Sequence, residues 1–406
     1  MDSGSVTNDA LGFVPFDCDH HYYDHDSYEA EDAFTRYMDP KLAKRGLQWA
    51  EVNGRKRLLV GGRINRFIPN PTFDPIARPG SLDGYFRGRV SASDIREAFG
   101  ELNDMADHPE YRNRDAKIAK LDEQGIGGCL MFPTLGVGME SAMADDLPAM
   151  RASFTAFNRW LDDDWGFAYQ DRIFAAAYIT MSDVDHAVAE LEWALDRGAR
   201  IVNLRAAPVN TETGNVALGD PRHDPFWARV NEAGIAVAFH SGDAGYGFYL
   251  EHFGLNAEFE AFRYNPLRSM LNSAPAADGM AQLIAGQVFH RFPNIRVCTI
   301  ESGATWLAPL LGRMEKAFKQ HAHAFPEDPI ETFRRHIWIA PFYEDDMNEL
   351  AASIGVERML FGSDWPHAEG LENPSAFKAD LAGFSDEDIL TIMKTNGESL
   401  IAPQAS

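Results

Sequence analysis

Short apolar runs rich in β-branched and aromatic residues recur along the chain, with longer amphipathic stretches between them. The runs are VPFDCD at 14–19, GGCLMFP at 127–133, IFAAAYI at 173–179, RIVNLRA at 200–206, IAVAFHS at 235–241, IRVCTIES at 295–302, HIWIAPF at 336–342 and RMLFGSD at 358–364. Near-continuous apolarity over five to eight residues predicts strands covered on both faces, and strands alternating with helices predict a parallel sheet. Among the intervening segments, DVDHAVAELEWALDRGAR places Val188, Leu191, Ala194 and Leu195 at helical spacing and Gly198 where a helix would stop. Eight strands with helices between them is the count that closes a (β/α)8 TIM barrel. Residues 13–402 are read as one domain of this kind, preceded by a flexible N-terminus at 1–12.

Two connections are longer than a barrel needs. Residues 25–115 form an insertion after strand one, where RKRLLVGGRINRF resembles a small hairpin and Arg63, Arg66, Phe67, Phe86, Arg87 and Arg89 accumulate. An insertion at that point is expected over the catalytic face. The connection 243–279 follows strand five, and its aromatics (Tyr246, Phe248, Tyr249, Phe253, Phe259, Phe262, Tyr264) suit either a substrate pocket or an oligomer interface.

Composition narrows the function. With 61 acidic against 37 basic residues the net charge is -24, which repels a nucleic-acid backbone. No run reaches the roughly 18 apolar residues that would cross a bilayer. MDSGSVTND has neither a basic region nor an apolar one, so no secretory signal is read there and a cytoplasmic location is the default. Cys18, Cys129 and Cys298 each sit in or beside an apolar run and are expected to pack as small buried residues.

The chemistry is expected where polar residues interrupt the C-terminal ends of the strands, because in a barrel those ends converge on one pocket. Asp19 and His21 follow strand one, His240 ends strand five, Glu301 ends strand six and Asp364 ends strand eight. Asp19 and His21, two apart, point to the same side of an extended segment, and His20 between them packs behind the site. Two carboxylates and two imidazoles are ligands suited to one divalent cation, Zn²⁺ first, with Mn²⁺ or Fe²⁺ as alternatives. Asp19, His21, His240 and Asp364 are therefore the expected metal ligands, and Asp364, Glu301 and His240 the catalytic candidates. Arg205 at the end of strand four is placed to clamp a substrate carboxylate, with an internal salt bridge as the other reading. His367 is a second substrate-binding candidate, or a partner of Asp364.

VPFDCDHHYYD, AFHSGD, FPNIRVCTIESGATWLAPLLGRMEK and LFGSDWPHAEG resemble the signature segments of the amidohydrolase-related family, in the branch of aminocarboxymuconate-semialdehyde decarboxylase and related aromatic-acid decarboxylases. The resemblance covers 13–24 and 115–400. It carries the family's ligand motif over to Asp19 and His21, its strand-five His to His240 and its strand-eight Asp to Asp364, and it implies a homodimer. One position departs: many of these decarboxylases have a His after strand six, where this chain has Glu301 in Glu-Ser-Gly. The resemblance implies decarboxylation and the departure points to hydrolysis, in either case of a small carboxylated or enolic cyclic substrate. The alternative outside enzymology is a catalytically silent barrel that binds a ligand.

Overall fold

The computed structural model describes residues 11–24, 33–65, 67–68, 71–72, 75–91, 100, 102–255, 267, 270–271 and 274–402. Arg66, Phe259, Phe262, Tyr264 and most of the 1–12 segment lie outside these residues, as does the side chain of Phe248.

All eight expected runs occupy positions in one ring. Strands β1 (Phe16–Tyr22), β2 (Gly128–Pro133) and β3 (Ile173–Ala175, continued as Ala177–Tyr178) pair in parallel. The second half of β3 pairs with β4 (Ile201–Asn203), followed in order by β5 (Ala236–His240), β6 (Arg296–Ile300) and β7 (Ile337–Ile339), again all parallel. The eighth position is held by the extended run 359–365, which bridges both neighbours. Leu360 N donates to Ile339 O at 2.8 Å on one side, and Cys18 N donates to Phe361 O and Asp364 N to Asp19 O, both at 2.8 Å, on the other. The run is too irregular for a continuous ladder, since Asp364 has a φ of 55°. A Cβ on Gly362 would lie 2.7 Å from Asp19 Cβ, so glycine is what lets the closing run approach β1. The chain is a (β/α)8 TIM barrel.

Helices α1 (Arg114–Gln124), α2 (Leu147–Asp164), α3 (Val184–Leu195), α4 (Asp224–Ala233), α5 (Pro275–Ala285), α6 (Leu307–His321) and α7 (Met347–Ile354) follow β1 to β7 in turn. Four starts are capped by side chains that accept a backbone N–H: Asn113, Asp146, Asp183 and Asp346. In α3, Leu191 and Ala194 are buried, and Val188 and Leu195 pack at the margin of the same core.

Period-two alternation sorts the strand side chains into two layers. Ala236, Ala238, Cys298, Ile300, Leu130 and Phe132 fill the barrel interior, while Val237, Phe239, Val297, Cys129 and Met131 face the helices. All three cysteines are buried and free. One strand breaks the alternation. In β1, Phe16 and Cys18 point inward, but the register against β2 shifts between Asp17 and His20, so that His20 stands opposite the outward Met131 and His21 opposite the inward Phe132. A bulge of this kind re-aims every later side chain. It turns Asp19 and His21 into the barrel mouth and His20 and Tyr22 out toward the helices.

Within the insertion, Leu47–Val52, Arg55–Val60 and Arg63–Ile64 form an antiparallel three-stranded sheet. Leu58 and Val60 join the core of α2, Asn65 Nδ2 donates to Gly138 O at 3.1 Å, and Leu82 N donates to Ala368 O at 2.8 Å. The insertion thus rests on the loops that follow β2 and the closing run.

Candidate metal centre

Four strand ends bring their donor atoms together at the mouth of the barrel. His21 Nε2 lies 3.3 Å from each of Asp19 Oδ1, Glu301 Oε2 and Asp364 Oδ1, and 3.3 Å from His240 Nε2. His240 Nε2 lies 3.1 Å from Glu301 Oε2 and 3.5 Å from Asp19 Oδ1. Ligands at about 2.0–2.2 Å from a four- to six-coordinate cation stand about 3.0–3.5 Å from one another, so these spacings are those of one coordination shell. Asp19, His21, His240 and Glu301 make one set of mutually close donors, and His21, Glu301, Asp364 and His367 make an overlapping one. The sequence predicts Asp364 as the fourth ligand. Glu301 belongs to both sets, whereas Asp364 falls in the second with His367.

The hydrogen bonding around these groups leaves room for a cation. His240 Nδ1 donates to Ser241 O at 2.7 Å, which directs the Nε2 lone pair at the cluster. Asp19 Oδ1 is buried and accepts no hydrogen bond, a costly condition unless a cation completes it. Glu301 and Asp364 have φ of 49° and 55°, in the left-handed region where side chains other than Asn and Asp are scarce. The backbone strain at Glu301 is of the kind that accumulates at functional sites.

Three carboxylates in a buried space need compensating positive charge. Burial pulls His240 toward the neutral form, but the Glu301 and Asp19 carboxylates raise it to about 10. Burial works against the Glu301 anion too, yet the two imidazoles hold it well below the usual carboxylate range. Burial and the Glu301 charge push Asp364 well above that range. In the absence of a cation, protons on His240 and Asp364 offset two of the three negative charges. Two neighbouring acids with opposed proton affinities, Glu301 ionised and Asp364 protonated, are the pattern of a divided acid/base pair.

Supporting contacts fix the donors. His367 Nδ1 lies 2.6 Å from Asp364 Oδ1, and its Nε2 lies 3.1 Å from Thr134 Oγ1, whose hydroxyl donates to Tyr22 O. His367 also stacks on His21 with ring centroids 4.1 Å apart, and burial beside the His21 imidazole keeps it neutral. Behind β1, Lys117 of α1 is fully buried. Its ammonium donates to His21 O at 2.9 Å, lies 3.5 Å from His20 Nδ1 and sits 4.3 Å above the Trp365 ring. His20 packs there against Trp365, as expected for a residue turned away from the site.

A cavity of about 510 Å³ opens from His240 and Glu301. Asn203, Tyr178 and Arg205 line it, as do Met270, Leu271, Trp306 and Phe342. Arg205 is the one Lys or Arg among the described lining residues. Its Nη2 donates to Pro208 O and Asn210 Oδ1, Glu140 lies 3.8 Å from its Nε, and that buried Nε has no hydrogen-bond partner among the described residues. His367 is not on the lining, and neither are Tyr246, Tyr249 and Phe253, the described aromatics of the 243–279 connection. Tyr246 instead donates to Asp278, at 2.6 Å. Two of the insertion's arginines are engaged away from the cluster: Arg87 is held by Asp83 and Asp380, and Arg63 by Asp145. Sequence reasoning missed Tyr178, although a polar tip at the C-terminal end of strand three is the same signal that found Arg205 and His240. It also missed Asp17 and Lys117.

A parallel barrel whose strand ends gather imidazoles and carboxylates around one point defines the class of metal-dependent barrel enzymes. The amidohydrolase family profile matches residues 16–400, and the chain belongs to that family of enzymes. A crystal structure of an amidohydrolase from Mycobacterium avium subsp. paratuberculosis K-10 is 44% identical, superposes with a TM-score of 0.90, and covers 97% of this chain and 99% of that one. A gamma-resorcylate decarboxylase of Rhodococcus jostii (strain RHA1) is 24% identical over 246 residues, which is 57% of this chain and 70% of that protein. A dihydroxybenzoic acid decarboxylase from Polaromonas sp. JS666, solved with bound manganese and the inhibitor 2-nitroresorcinol, shares the fold at 18% identity and a TM-score of 0.53, over 79% of this chain and 92% of that one. Among the described residues no helix is long and apolar enough to cross a membrane.

Proposed function

We propose that this protein is a mononuclear, divalent-metal-dependent enzyme acting on a carboxylated or enolic cyclic substrate, with non-oxidative decarboxylation as its reaction. One observation carries the reading: Asp19, His21, His240 and Glu301 present their donor atoms at 3.1–3.5 Å spacing, and His240 and Glu301 of that set line a cavity that also bears Arg205. A Zn²⁺ or Mn²⁺ ion held there supplies Lewis-acid polarisation of substrate oxygens. Every other part belongs to the chain. Arg205, on the cavity lining, offers its guanidinium to an anionic oxygen of the substrate. Glu301, ionised, stays as a fixed negative charge beside the two imidazoles. Asp364, held by His367, is the acid that delivers a proton to the ring carbon that bears the carboxylate. The C–C bond electrons then remain with the ring as CO₂ departs.

The decarboxylases among the similar proteins support this order of preference. Hydrolysis is the second reading, favoured by a carboxylate at Glu301, which can accept a proton from water where an imidazolium cannot. To test both, the metal-loaded protein is incubated in ¹⁸O-water with a panel of ortho-hydroxy aromatic acids and of cyclic amides and vinylogous diketones. CO₂ release with no ¹⁸O in the organic product is expected, and loss of both metal and turnover in His240→Ala. Incorporation of ¹⁸O into a ring-opened or cleaved product assigns hydrolysis instead. A protein with no bound metal, no turnover and unchanged stability in His240→Ala is a ligand-binding barrel.

A further inference from the structure

Strand β4 carries an amide toward the barrel mouth. Ile201 fills the interior while Val202 and Leu204 face the helices, so the alternation turns Asn203 inward, one layer beyond Ile201 in the direction of the strand's C-terminal end. The residue is only 2% exposed, and it lines the cavity together with His240 and Glu301. The ladder between β4 and β5 ends at the pair Asn203 and Ala238. Past that pair, His240 N donates to Asn203 Oδ1 at 3.1 Å. Only the amide oxygen can accept this bond, so the contact fixes which way the amide is turned and leaves Nδ2 on its other arm. Nδ2 has no acceptor among the described residues and is not sealed in the protein, which leaves its N–H groups to the cavity. The hydroxyl of Ser302, also on the lining, is by contrast committed to Ile300 O at 3.1 Å.

We infer that Asn203 is a substrate-binding residue: its Nδ2 donates to an oxygen of the substrate beside His240, while its Oδ1 holds the backbone of that same histidine. The inference rests on the proposed function for the nature of the oxygen, a carboxylate or phenolate drawn to the cation cluster. It adds a neutral donor whose direction is set by a strand end of the metal centre. A substrate that presents an acceptor oxygen there gains a hydrogen bond; one that presents a donor leaves the amide unpaired.

The test measures binding of 2-hydroxybenzoate by calorimetry to the full-length protein at saturating Zn²⁺, with metal content read on the same samples. Asn203→Asp keeps an oxygen for His240 N and replaces the donor by an acceptor. It is expected to hold about one metal per chain and to bind 2-hydroxybenzoate at least about tenfold more weakly, the scale of a hydrogen bond to a charged group. Asn203→Leu removes both arms and carries no charge, so repulsion cannot explain a loss; the same weakening is expected there. Unchanged 2-hydroxybenzoate affinity in either variant at full metal content shows that Asn203 serves only the His240 backbone and overturns the inference. Failure of the metal-loaded parent to bind 2-hydroxybenzoate overturns it too. Protein that takes up no metal under any loading condition overturns the proposed function itself.

Discussion

Asp17 and Asp19 lie two residues apart on the same strand and are both buried, yet they belong to different parts of the molecule. In a regular strand they would share a face. The bulge between them sends Asp17 to the helix side and Asp19 to the barrel mouth. Both oxygens of Asp17 are engaged: its carboxylate accepts from Asp19 N at 3.1 Å, Ser363 N at 3.0 Å and Ser363 Oγ at 2.5 Å. Those bonds satisfy the backbone of the bulge and tie β1 to the closing run. Asp19 Oδ1 accepts nothing, and two imidazole nitrogens stand 3.3–3.5 Å away. A buried carboxylate whose two oxygens both accept hydrogen bonds holds a structure together; one kept unpaired among imidazoles is prepared for something that arrives.

Alanine at the two positions separates these roles. Asp19→Ala should lower the affinity for Mn²⁺ or Zn²⁺ by well over about 100-fold, since even the outer partners of a metal ligand are worth about 10–100-fold, and abolish turnover while the chain remains folded. Asp17→Ala should keep close to one metal per chain but lose about 1–3 kcal/mol for each buried donor left unpaired. Elemental analysis of the purified variants alongside urea unfolding reads both effects. The comparison breaks if Asp17→Ala is the variant that sheds the metal without loss of stability.

The charge balance of the front side gives a second, smaller effect. His240 is raised from 6.5 to about 10 in the metal-free protein, so its protonated form stabilises the fold fully below pH 6.5, and that contribution drains as pH rises toward 10. Lys117, on the rear side, is pulled down by burial to about 7 and favours the fold as pH rises through the same window. The two oppose each other, so a simple stability profile cannot separate them. A bound cation replaces protons of the front side, that of His240 among them, and the Lys117 contribution is common to both forms. The rise in melting temperature on adding saturating Mn²⁺ should therefore grow from pH 7 to pH 9, with proton release on binding. A constant difference across that range would show that no proton is displaced from the front side.

Much of this was legible in the sequence, and the rest was hidden for physical reasons. Eight apolar runs announced eight barrel positions because strands covered on both faces have little freedom in composition. Four separated polar strand ends announced the centre, since only a shared pocket explains them. The spacing of Asp19 and His21 correctly placed them side by side, but nothing in VPFDCDHHYYD marks a bulge, so the separation of Asp17 from Asp19 could not be read. Glu301 was visible as a strand-end carboxylate. Its membership of both donor sets depends on a left-handed backbone, which only glycine reliably signals in a sequence. Lys117 was missed because a lysine in a polar helix such as RDAKIAKLDEQ ordinarily faces water.

Lys117 offers the smallest effect and the finest cut between front and rear. Its ammonium touches the backbone of one ligand, His21, and the ring of Trp365, the residue next to Asp364. Like Asp17, it is a rear-side group that bears on both β1 and the closing run without reaching the cluster. Replacing it with methionine keeps the volume, removes a buried charge and strands the His21 carbonyl. Removing a buried charge of this sort is close to neutral for stability when the replacement packs well, so the metal-free protein should melt within a few degrees of the parent. The loss should appear at the front, as a drop in Mn²⁺ affinity of about tenfold, the scale at which outer contacts orient metal ligands. Metal affinity within twofold of the parent would mean that the bulge and Asp17 alone hold β1 in place, and that Lys117 belongs wholly to the packing behind it.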